Sequence, residues 1–274
     1  MIIDSHQHFW NFDPQRDTWI DHTMEVLRRD FTPRDLELIL SKNKVEGCIA
    51  VQDDQSERET AFLLDCAAKY SFVKGVVGWV DLCAPQVNQR LSHFSKNPYF
   101  KGLRHIVQAE EDNFLLREDF QRGIRMLSNF DLTYDLLITP NQLAAANTFI
   151  KKFPNQKFIL DHLAKPEISK PISETWIKEI ESLAEHPNTY CKLSGMVTET
   201  QNFQSEKKDF TPFMEVIINS FGSDRVLFGS DWPVCLLATE YEKVLKIVTD
   251  FIEKYVPSEK NKILGANTIR IYNL

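Results

Sequence analysis

Two histidines separated by one residue stand near the start of the chain, in the stretch MIIDSHQHFW. The apolar residues before them predict a buried β-strand, whose alternate side chains share a face, so Asp4, His6 and His8 lie on one side. At about 3.3 Å per residue, the two imidazoles are roughly 6.6 Å apart. That spacing allows both to converge on one metal ion or one substrate oxygen. A core histidine followed by an unrelated loop histidine would give the same short stretch.

Other polar residues with chemical capacity occur late in, or directly after, further predicted strands. A structural interpretation exists for each of them: His162 as a hydrogen-bonded core residue, Arg104 as the ion-pair partner of Asp135, Lys192 as a side chain that reaches solvent, and Asp231 as a turn cap. A single functional site at one end of the strands would account for the positions of all these residues together. The residues are Arg104, His105, Tyr134, Asp135, His162, Lys192, Ser194 and Asp231.

Eight β-rich runs, separated by amphipathic stretches, supply the strands that would position these residues. Thr32 followed by Pro33 predicts the start of one helix, and Ser56 with Glu59 predicts a capping box at the start of another. Strands alternating with helices indicate a parallel sheet covered by helices, and a single (β/α)8 barrel is the economical arrangement. A doubly wound open sheet is the alternative, although DSHQHFW lacks a glycine-rich phosphate loop. The runs are 1–9, 45–52, 72–82, 99–108, 132–139, 157–166, 189–195 and 225–234.

The composition limits the class of protein and its partners. The chain has 274 residues with 32 basic and 39 acidic side chains, a formal charge of −7 that disfavours nucleic acid and anionic membranes as partners. Five cysteines without a C-x-x-C motif are typical of reduced thiols in a cytoplasmic protein. We expect one domain over residues 1–274, without a signal peptide or membrane span. Residues 9–31, which contain Trp10 and Trp19, are predicted to form a loop over the active site.

Six segments of the sequence, taken in order, resemble those of a known family and include the H-x-H pattern. They are IDSHQHFW, YFKGLRH, YDLLI, FILDHLAKP, CKLSG and VLFGSDWPV. Over essentially the whole chain, they resemble the sugar lactonase branch of the amidohydrolase superfamily. That branch contains the L-fuconolactone and L-rhamnonolactone hydrolases, with 2-pyrone-4,6-dicarboxylate lactonase as a more distant relative.

The resemblance implies roles for individual residues. His6 and His8 match the paired histidines of the first strand, His162 the histidine of the sixth, and Asp231 the aspartate of the eighth. Arg104 matches an arginine that contacts substrate. We expect His6, His8, His162 and Asp231 to be catalytic.

The resemblance also bears on metal binding. Members that bind two metals carry a bridging residue on the fourth strand and a histidine on the fifth. Here Lys101 stands at the wrong end of the fourth strand, and YDLLI has no histidine. One divalent ion, zinc or manganese, on His6, His8 and Asp231 is therefore the expected cofactor, and metal-independent hydrolysis is the alternative.

The predicted reaction is the opening of a small sugar-acid lactone by water. Asp231 would accept the proton of the water, and the absence of G-x-S-x-G argues against a serine nucleophile. His105, Trp10, Tyr134 and Trp232 are predicted to contact the substrate beside Arg104. Two alternatives are a metal-dependent decarboxylase of an aromatic or muconate acid and a non-catalytic sugar-binding barrel. The small-molecule lactone is the expected partner, and the protein is expected to be a monomer or homodimer.

Overall fold

Eight parallel strands form one sheet in which each strand pairs with the next along the chain. The computed structural model describes residues 1–206 and 208–274. Just after the eighth strand, Asp231 donates its backbone N–H to the His6 carbonyl (2.8 Å), and His8 donates to the Trp232 carbonyl (2.7 Å), which brings this end of the sheet back to its first strand. The predicted (β/α)8 barrel is confirmed, and the doubly wound sheet is wrong. The strands are Ile3–Gln7 (β1), Gly47–Val51 (β2), Val73–Gly78 (β3), Phe100–His105 (β4), Thr133–Leu136 (β5), Phe158–Leu160 (β6), Thr189–Leu193 (β7) and Val226–Phe228 (β8).

The helices pack around the strands. Pro33 is the first residue of α1, and Thr32 and Asp35 form a capping box there. The Ser56 hydroxyl accepts the N–H of Glu59 (3.1 Å), as predicted, but the Glu59 carboxyl hydrogen-bonds with Asp53. The α-helices in the described part of the chain are Pro33–Lys42 (α1), Glu57–Lys69 (α2), Val87–Phe94 (α3), Glu118–Leu127 (α4), Leu143–Ile150 (α5), Glu174–Ala184 (α6), Thr211–Phe221 (α7), Tyr241–Tyr255 (α8) and Asn267–Tyr272 (α9). None of these helices is long and apolar enough to span a membrane.

The strands are shorter than the β-rich runs predicted, and the difference lies at the ends that carry the polar residues. β6 ends at Leu160, and the four residues 162–165 then adopt left-handed backbone angles (φ 53° to 57°). Asp231 is also left-handed, with φ 58°. For residues other than glycine, this conformation costs roughly 1–2 kcal/mol per residue. His162 and Asp231 therefore project from tight turns above the barrel, whereas His6 and Arg104 project from regular strands.

The barrel interior is divided into an apolar layer and a charged layer. Ile49, Val77, Ile159 and Leu227 form a buried cluster that includes Tyr272 from α9. A larger apolar core between the strands and the helices holds the barrel together. The charged layer contains Asp135, Asp161 and Lys192, whose side chains are fully buried. It separates the apolar cluster from the residues described next.

Candidate active site

A cavity of about 480 Å³ opens where the carboxyl ends of the strands meet. His8, Arg104, His162 and Asp231 line it, from the residue directly after β1, from β4 and from the turns after β6 and β8. This is the end at which active sites of (β/α)8 barrels are built. The rest of the wall is largely apolar, and two of its residues belong to segment 9–31. The apolar residues include Trp19, Met24, Ile106, Leu137, Phe203 and Leu237.

One oxygen of Asp231 is the point on which three imidazoles converge. Its Oδ1 lies 3.4 Å from His8 Nε2, 3.8 Å from His6 Nε2 and 3.9 Å from His162 Nε2. All four side chains are buried. The structure thus brings together the four residues that the sequence predicted to be catalytic.

The far nitrogens of two imidazoles are held by neighbouring groups. His8 Nδ1 donates a hydrogen bond to the Val51 carbonyl (2.7 Å). In the neutral ring, Nε2 therefore has no proton and presents a lone pair. His162 Nδ1 is hydrogen-bonded to the Ser194 hydroxyl (2.9 Å). These contacts direct each Nε2 at the Asp231 carboxylate, and for a neutral His8 two acceptors would face each other there.

A cation between those acceptors would satisfy them. Imidazole nitrogens and a carboxylate are donors that zinc accepts, and two ligands of a tetrahedral zinc ion lie about 3.4 Å apart. His6, His8 and Asp231 satisfy the distances for one ion, as do His6, Asp161 and His162. The described residues therefore include candidate metal ligands, among them the predicted set.

Two glycines allow these histidines to sit where they do. A Cβ on Gly195 would lie 2.5 Å from His162 Nδ1, and Gly195 has φ +64°. A Cβ on Gly229 would lie 2.7 Å from the Cβ of His6. Glycine at these positions, in CKLSG and VLFGS, keeps the imidazoles packed against the backbone of the neighbouring strands.

Arg104 contacts the site from below, together with an aspartate that the sequence reasoning did not single out. Its Nη1 lies 3.2 Å from His6 Nε2 and 3.3 Å from Asp161 Oδ2, and its Nη2 donates to the Gln52 carbonyl. The considered pair of Arg104 with Asp135 is wrong, because Asp135 binds Lys192 (2.5 Å). Lys192 is fully buried and does not reach solvent. The signal for Asp161 was its place directly beside His162 at the end of β6.

The charges in this layer shift pKa values in opposite directions. Burial alone would raise the pKa of Asp231, but the charges of His162, His6 and His8 and a hydrogen bond to His8 hold it well below its usual range. Burial also opposes ionisation of Asp161, but the charges of Lys192 and His6 outweigh it and lower the pKa of that carboxyl. Burial lowers the pKa of His162 to about 4. At neutral pH both carboxylates are ionised and His162 is neutral.

Four predicted substrate contacts lie away from the cavity wall. Trp10 is fully buried, donates to the Arg29 carbonyl (2.9 Å) and packs against Phe31, and Trp232 packs on Phe31 from another side. Tyr134 is buried in the outer core between Phe120 and Phe158. His105 stacks on Phe114 and pairs with Glu110 at 2.9 Å. These are corrections: aromatic character near a strand end did not show which face the ring would take.

A second acidic pair flanks the cavity, and the sequence reasoning missed it. Asp53 lines the wall two residues after the end of β2, and Glu59 on α2 hydrogen-bonds with it. Both are buried, and burial raises the pKa of each. The run VQDD after β2 was the available signal, since polar residues after a strand marked the other parts of the site.

Asp4 has a simpler role, because its carboxylate accepts the N–H (2.9 Å) and the hydroxyl (2.5 Å) of Ser230 and so fixes the turn before Asp231.

Known proteins share this sequence and architecture. The chain is 33% identical over 277 residues to an L-fucono-1,5-lactonase of Burkholderia ambifaria, covering 99% of this chain and 95% of that protein. It is 26% identical to an L-rhamnono-gamma-lactonase of Scheffersomyces stipitis, over 64% of this chain and 59% of that protein. A crystal structure of an amidohydrolase from Burkholderia multivorans with bound zinc superposes with a TM-score of 0.96 at 35% identity, covering 100% of this chain and 99% of that one. The family model for amidohydrolases matches residues 3–274, and the chain belongs to the amidohydrolase family.

Proposed function

We propose that this enzyme hydrolyses a small sugar-acid lactone, of the L-fucono- or L-rhamnono-lactone type, to the open hydroxy acid. The observation that carries the proposal is the Asp231 carboxylate, which lies at the floor of a cavity with three imidazoles and a guanidinium around it. The two relatives described above are lactonases, and this supports hydrolysis over the decarboxylase alternative.

Asp231 is the general base of the proposed reaction. Lactone opening needs a water molecule that loses a proton as it attacks the ester carbonyl, and a positioned base contributes about 10²–10⁴-fold to such a step. The low pKa of Asp231 keeps its carboxylate ionised at neutral pH. The backbone N–H of Asp231 donates to the His6 carbonyl (2.8 Å), which fixes the turn that carries this carboxylate.

Arg104 and the imidazoles supply the opposite charge. A guanidinium directs several N–H groups at a fixed angle, which suits a carbonyl oxygen or two ring hydroxyls. Arg104 lines the cavity while Asp161 and Gln52 hold its other edge. As the carbonyl oxygen gains negative charge, this preorganised donor stabilises it without rearranging. The leaving group is the ring alkoxide, which remains tethered and takes up the proton from the site.

The upper wall of the cavity favours a substrate with an apolar end. Its volume of about 480 Å³ lies within the range of small-molecule sites, about 300–1,000 Å³. Trp19, Met24 and Leu237 offer apolar surface, whereas Lys165 and Glu199, 3.1 Å apart, offer polar atoms to hydroxyls. A deoxy sugar lactone presents both kinds of surface.

We infer one divalent ion, zinc or manganese, held by His6, His8 and Asp231. The donor set and the 3.4–3.8 Å separations fit such an ion, and the Burkholderia multivorans relative binds zinc. When bound, the ion supplies positive charge next to the ester carbonyl. Elemental analysis of the purified protein should find at most one equivalent per chain, and two equivalents in active enzyme would contradict this site.

We also infer that the enzyme acts in the cytoplasm, as a monomer or homodimer. All five cysteines are free thiols, and four of them are buried, which supports a reducing location.

A pH-indicator assay over a panel of aldonolactones tests the function. We expect acid release from 1,5- and 1,4-lactones of deoxy sugar acids, with faster turnover than from an unsubstituted six-membered lactone. The assay is run with and without chelator, and aromatic acids are tested in parallel for CO₂ release. CO₂ release without any lactone turnover would overturn the proposal, as would binding of lactones without turnover.

A further inference from the structure

The loop after β2 is joined to the end of β4 by side-chain hydrogen bonds. Gln52 Nε2 donates to the Arg104 carbonyl (3.0 Å), and the Gln52 carbonyl accepts Arg104 Nη2. Gln55 Oε1 accepts the backbone N–H of Ile106 (2.8 Å). These bonds join two strands that are not neighbours, since β3 lies between them in the sheet. The Gln55 side chain is therefore held beside the segment that directly follows Arg104.

The bond to Ile106 fixes the direction of the Gln55 amide. A backbone N–H is a donor, so the atom that faces it is the amide oxygen, and the two N–H groups of Nε2 point away from Ile106. Within the described residues, Oε1 is the only side-chain atom of Gln55 that makes a hydrogen bond. Gln55 and Ile106 both line the cavity. The cavity wall therefore includes an amide whose donor groups are held in place and left available.

The cations of the wall are already paired, whereas this donor carries no charge. Arg104 Nη1 lies 3.3 Å from Asp161, and Lys165 Nζ lies 3.1 Å from Glu199. A carboxylate on the substrate would find no unpaired side-chain cation among the wall residues that the structure describes. A hydroxyl needs none, because its oxygen can accept a hydrogen bond from the neutral Gln55 amide.

We propose that Gln55 is a specificity-determining residue, whose Nε2 donates a hydrogen bond to one ring hydroxyl of the lactone. The inference rests on the proposed function and deepens it, because it assigns recognition of the ring to a residue outside the ester-opening group. A site built to bind a hydroxyl rejects the analogue that lacks it, since the polar group of the site is then left unpaired in the complex. The enzyme should therefore favour uncharged lactones that carry this hydroxyl.

A substitution combined with deoxygenation of the substrate tests the contact. The probes are L-fucono-1,5-lactone and analogues that each lack one ring hydroxyl. We expect wild-type enzyme to prefer the full lactone over one of these analogues by about five- to tenfold in kcat/KM, the range of one neutral hydrogen bond. In Gln55→Met this preference should disappear, with kcat/KM for that analogue within about twofold of wild type.

Gln142→Met is the matched control. Gln142 Nε2 donates to the Val107 carbonyl (2.7 Å), in the same segment after β4, but Gln142 is not among the described residues that line the cavity. This variant also loses an amide that holds the segment, so its Tm should fall while the wild-type hydroxyl preference remains. If Gln55→Met instead lowered kcat/KM for every lactone by one common factor, Gln55 would serve only the loop, and the proposal would be overturned. Wild-type enzyme that opens every analogue as fast as the full lactone would overturn it without any variant.

A binding measurement separates this contact from the proposed function. If the wild-type protein opens no lactone, the proposed function fails, and the same lactones are then not consumed and can be titrated by calorimetry. Tighter binding of the full lactone than of one analogue, lost in Gln55→Met, would still support the contact. Equal affinities for all the lactones, or no binding of any, would overturn it.

Discussion

Two buried acidic sites flank the cavity, and they are neutralised in different ways. Asp161 meets Lys192 at 3.0 Å and Arg104 at 3.3 Å, and these cations hold its carboxylate ionised. Asp53 and Glu59 lie against each other. Among the residues that the structure describes, Glu59 is the only group that can donate a proton to an oxygen of Asp53, and the two carboxyls can share that proton. Burial and the neighbouring carboxyl raise the pKa of Glu59 well above its usual range.

The difference shows that burial alone does not set the charge of a carboxyl group. Asp161 and Asp53 are both more than nine-tenths buried. The pKa of Asp161 falls because cations outweigh desolvation, whereas that of Asp53 rises because desolvation outweighs the hydrogen bond with Glu59, which lowers it. In the proposed mechanism, the charged side supplies fixed charges next to the cavity. The proton-sharing side supplies a wall that joins β2 to α2.

The largest effect should follow from removing the base on the charged side. Asp231→Asn keeps the shape but cannot accept a proton, so we expect kcat to fall by about 10²–10⁴-fold with the fold intact. Asp53→Asn makes the same change on the proton-sharing side, where the amide can donate to Glu59, and kcat should stay within about threefold. Steady-state kinetics with circular dichroism provide the measurement. An Asp231→Asn enzyme with most of the wild-type kcat would show that Asp231 is not the base.

A smaller effect is expected from altering the cation that links Asp161 to the cavity. Arg104→Lys keeps the positive charge but loses the planar set of N–H donors of the guanidinium. We expect kcat/KM to fall about tenfold or more, which corresponds to roughly 1.4 kcal/mol of transition-state stabilisation. Because Arg104 is buried against Asp161, the variant should also melt a few degrees lower.

Arg104→Met separates the two contributions. Removing one partner of a buried ion pair typically costs about 3–5 kcal/mol, so this variant should be clearly less stable than Arg104→Lys. Normal kcat/KM in Arg104→Lys, measured below its melting range, would assign Arg104 to the fold and remove it from the site.

The barrel and the position of the candidate site could be predicted from the sequence because both rest on periodic features. Strands alternating with helices define the barrel, and polar residues at strand ends define one edge of it. This rule selected His6, His8, His162 and Asp231 among other polar residues, and the family resemblance then distinguished these four. The structure brings them together around one oxygen.

The residues that prediction misplaced depend on details that periodicity does not contain. Trp10 and Trp232 turn into an aromatic cluster with Phe31, and this follows from how segment 9–31 folds back on the barrel. Asp161 was missed because the left-handed turn that begins at His162 places the two neighbours in different layers. In a regular strand, Asp161 and His162 would also point to opposite faces. That alternation alone does not show that the Asp161 side chain enters the barrel interior.

The smallest effect should come from the proton-sharing side and should depend on pH. The folded pKa of Glu59 lies above its ordinary value of 4.5, so above about pH 4.5 the folded state binds more protons than the unfolded state. The free energy of unfolding therefore falls as the pH rises through this range.

The amide introduced by Glu59→Gln cannot titrate, and it can donate to Asp53 in place of the shared proton. Glu59→Gln should match wild type near pH 5 and melt about 2–4 °C higher at pH 9, or about 1 kcal/mol. Glu57→Gln, which alters an exposed pair with Arg90 on the same helix, should show no such divergence. Melting curves for Glu59→Gln that run parallel to wild type from pH 5 to pH 9 would mean that Glu59 is ionised in the folded protein, and the contrast between the two acidic sites would then disappear.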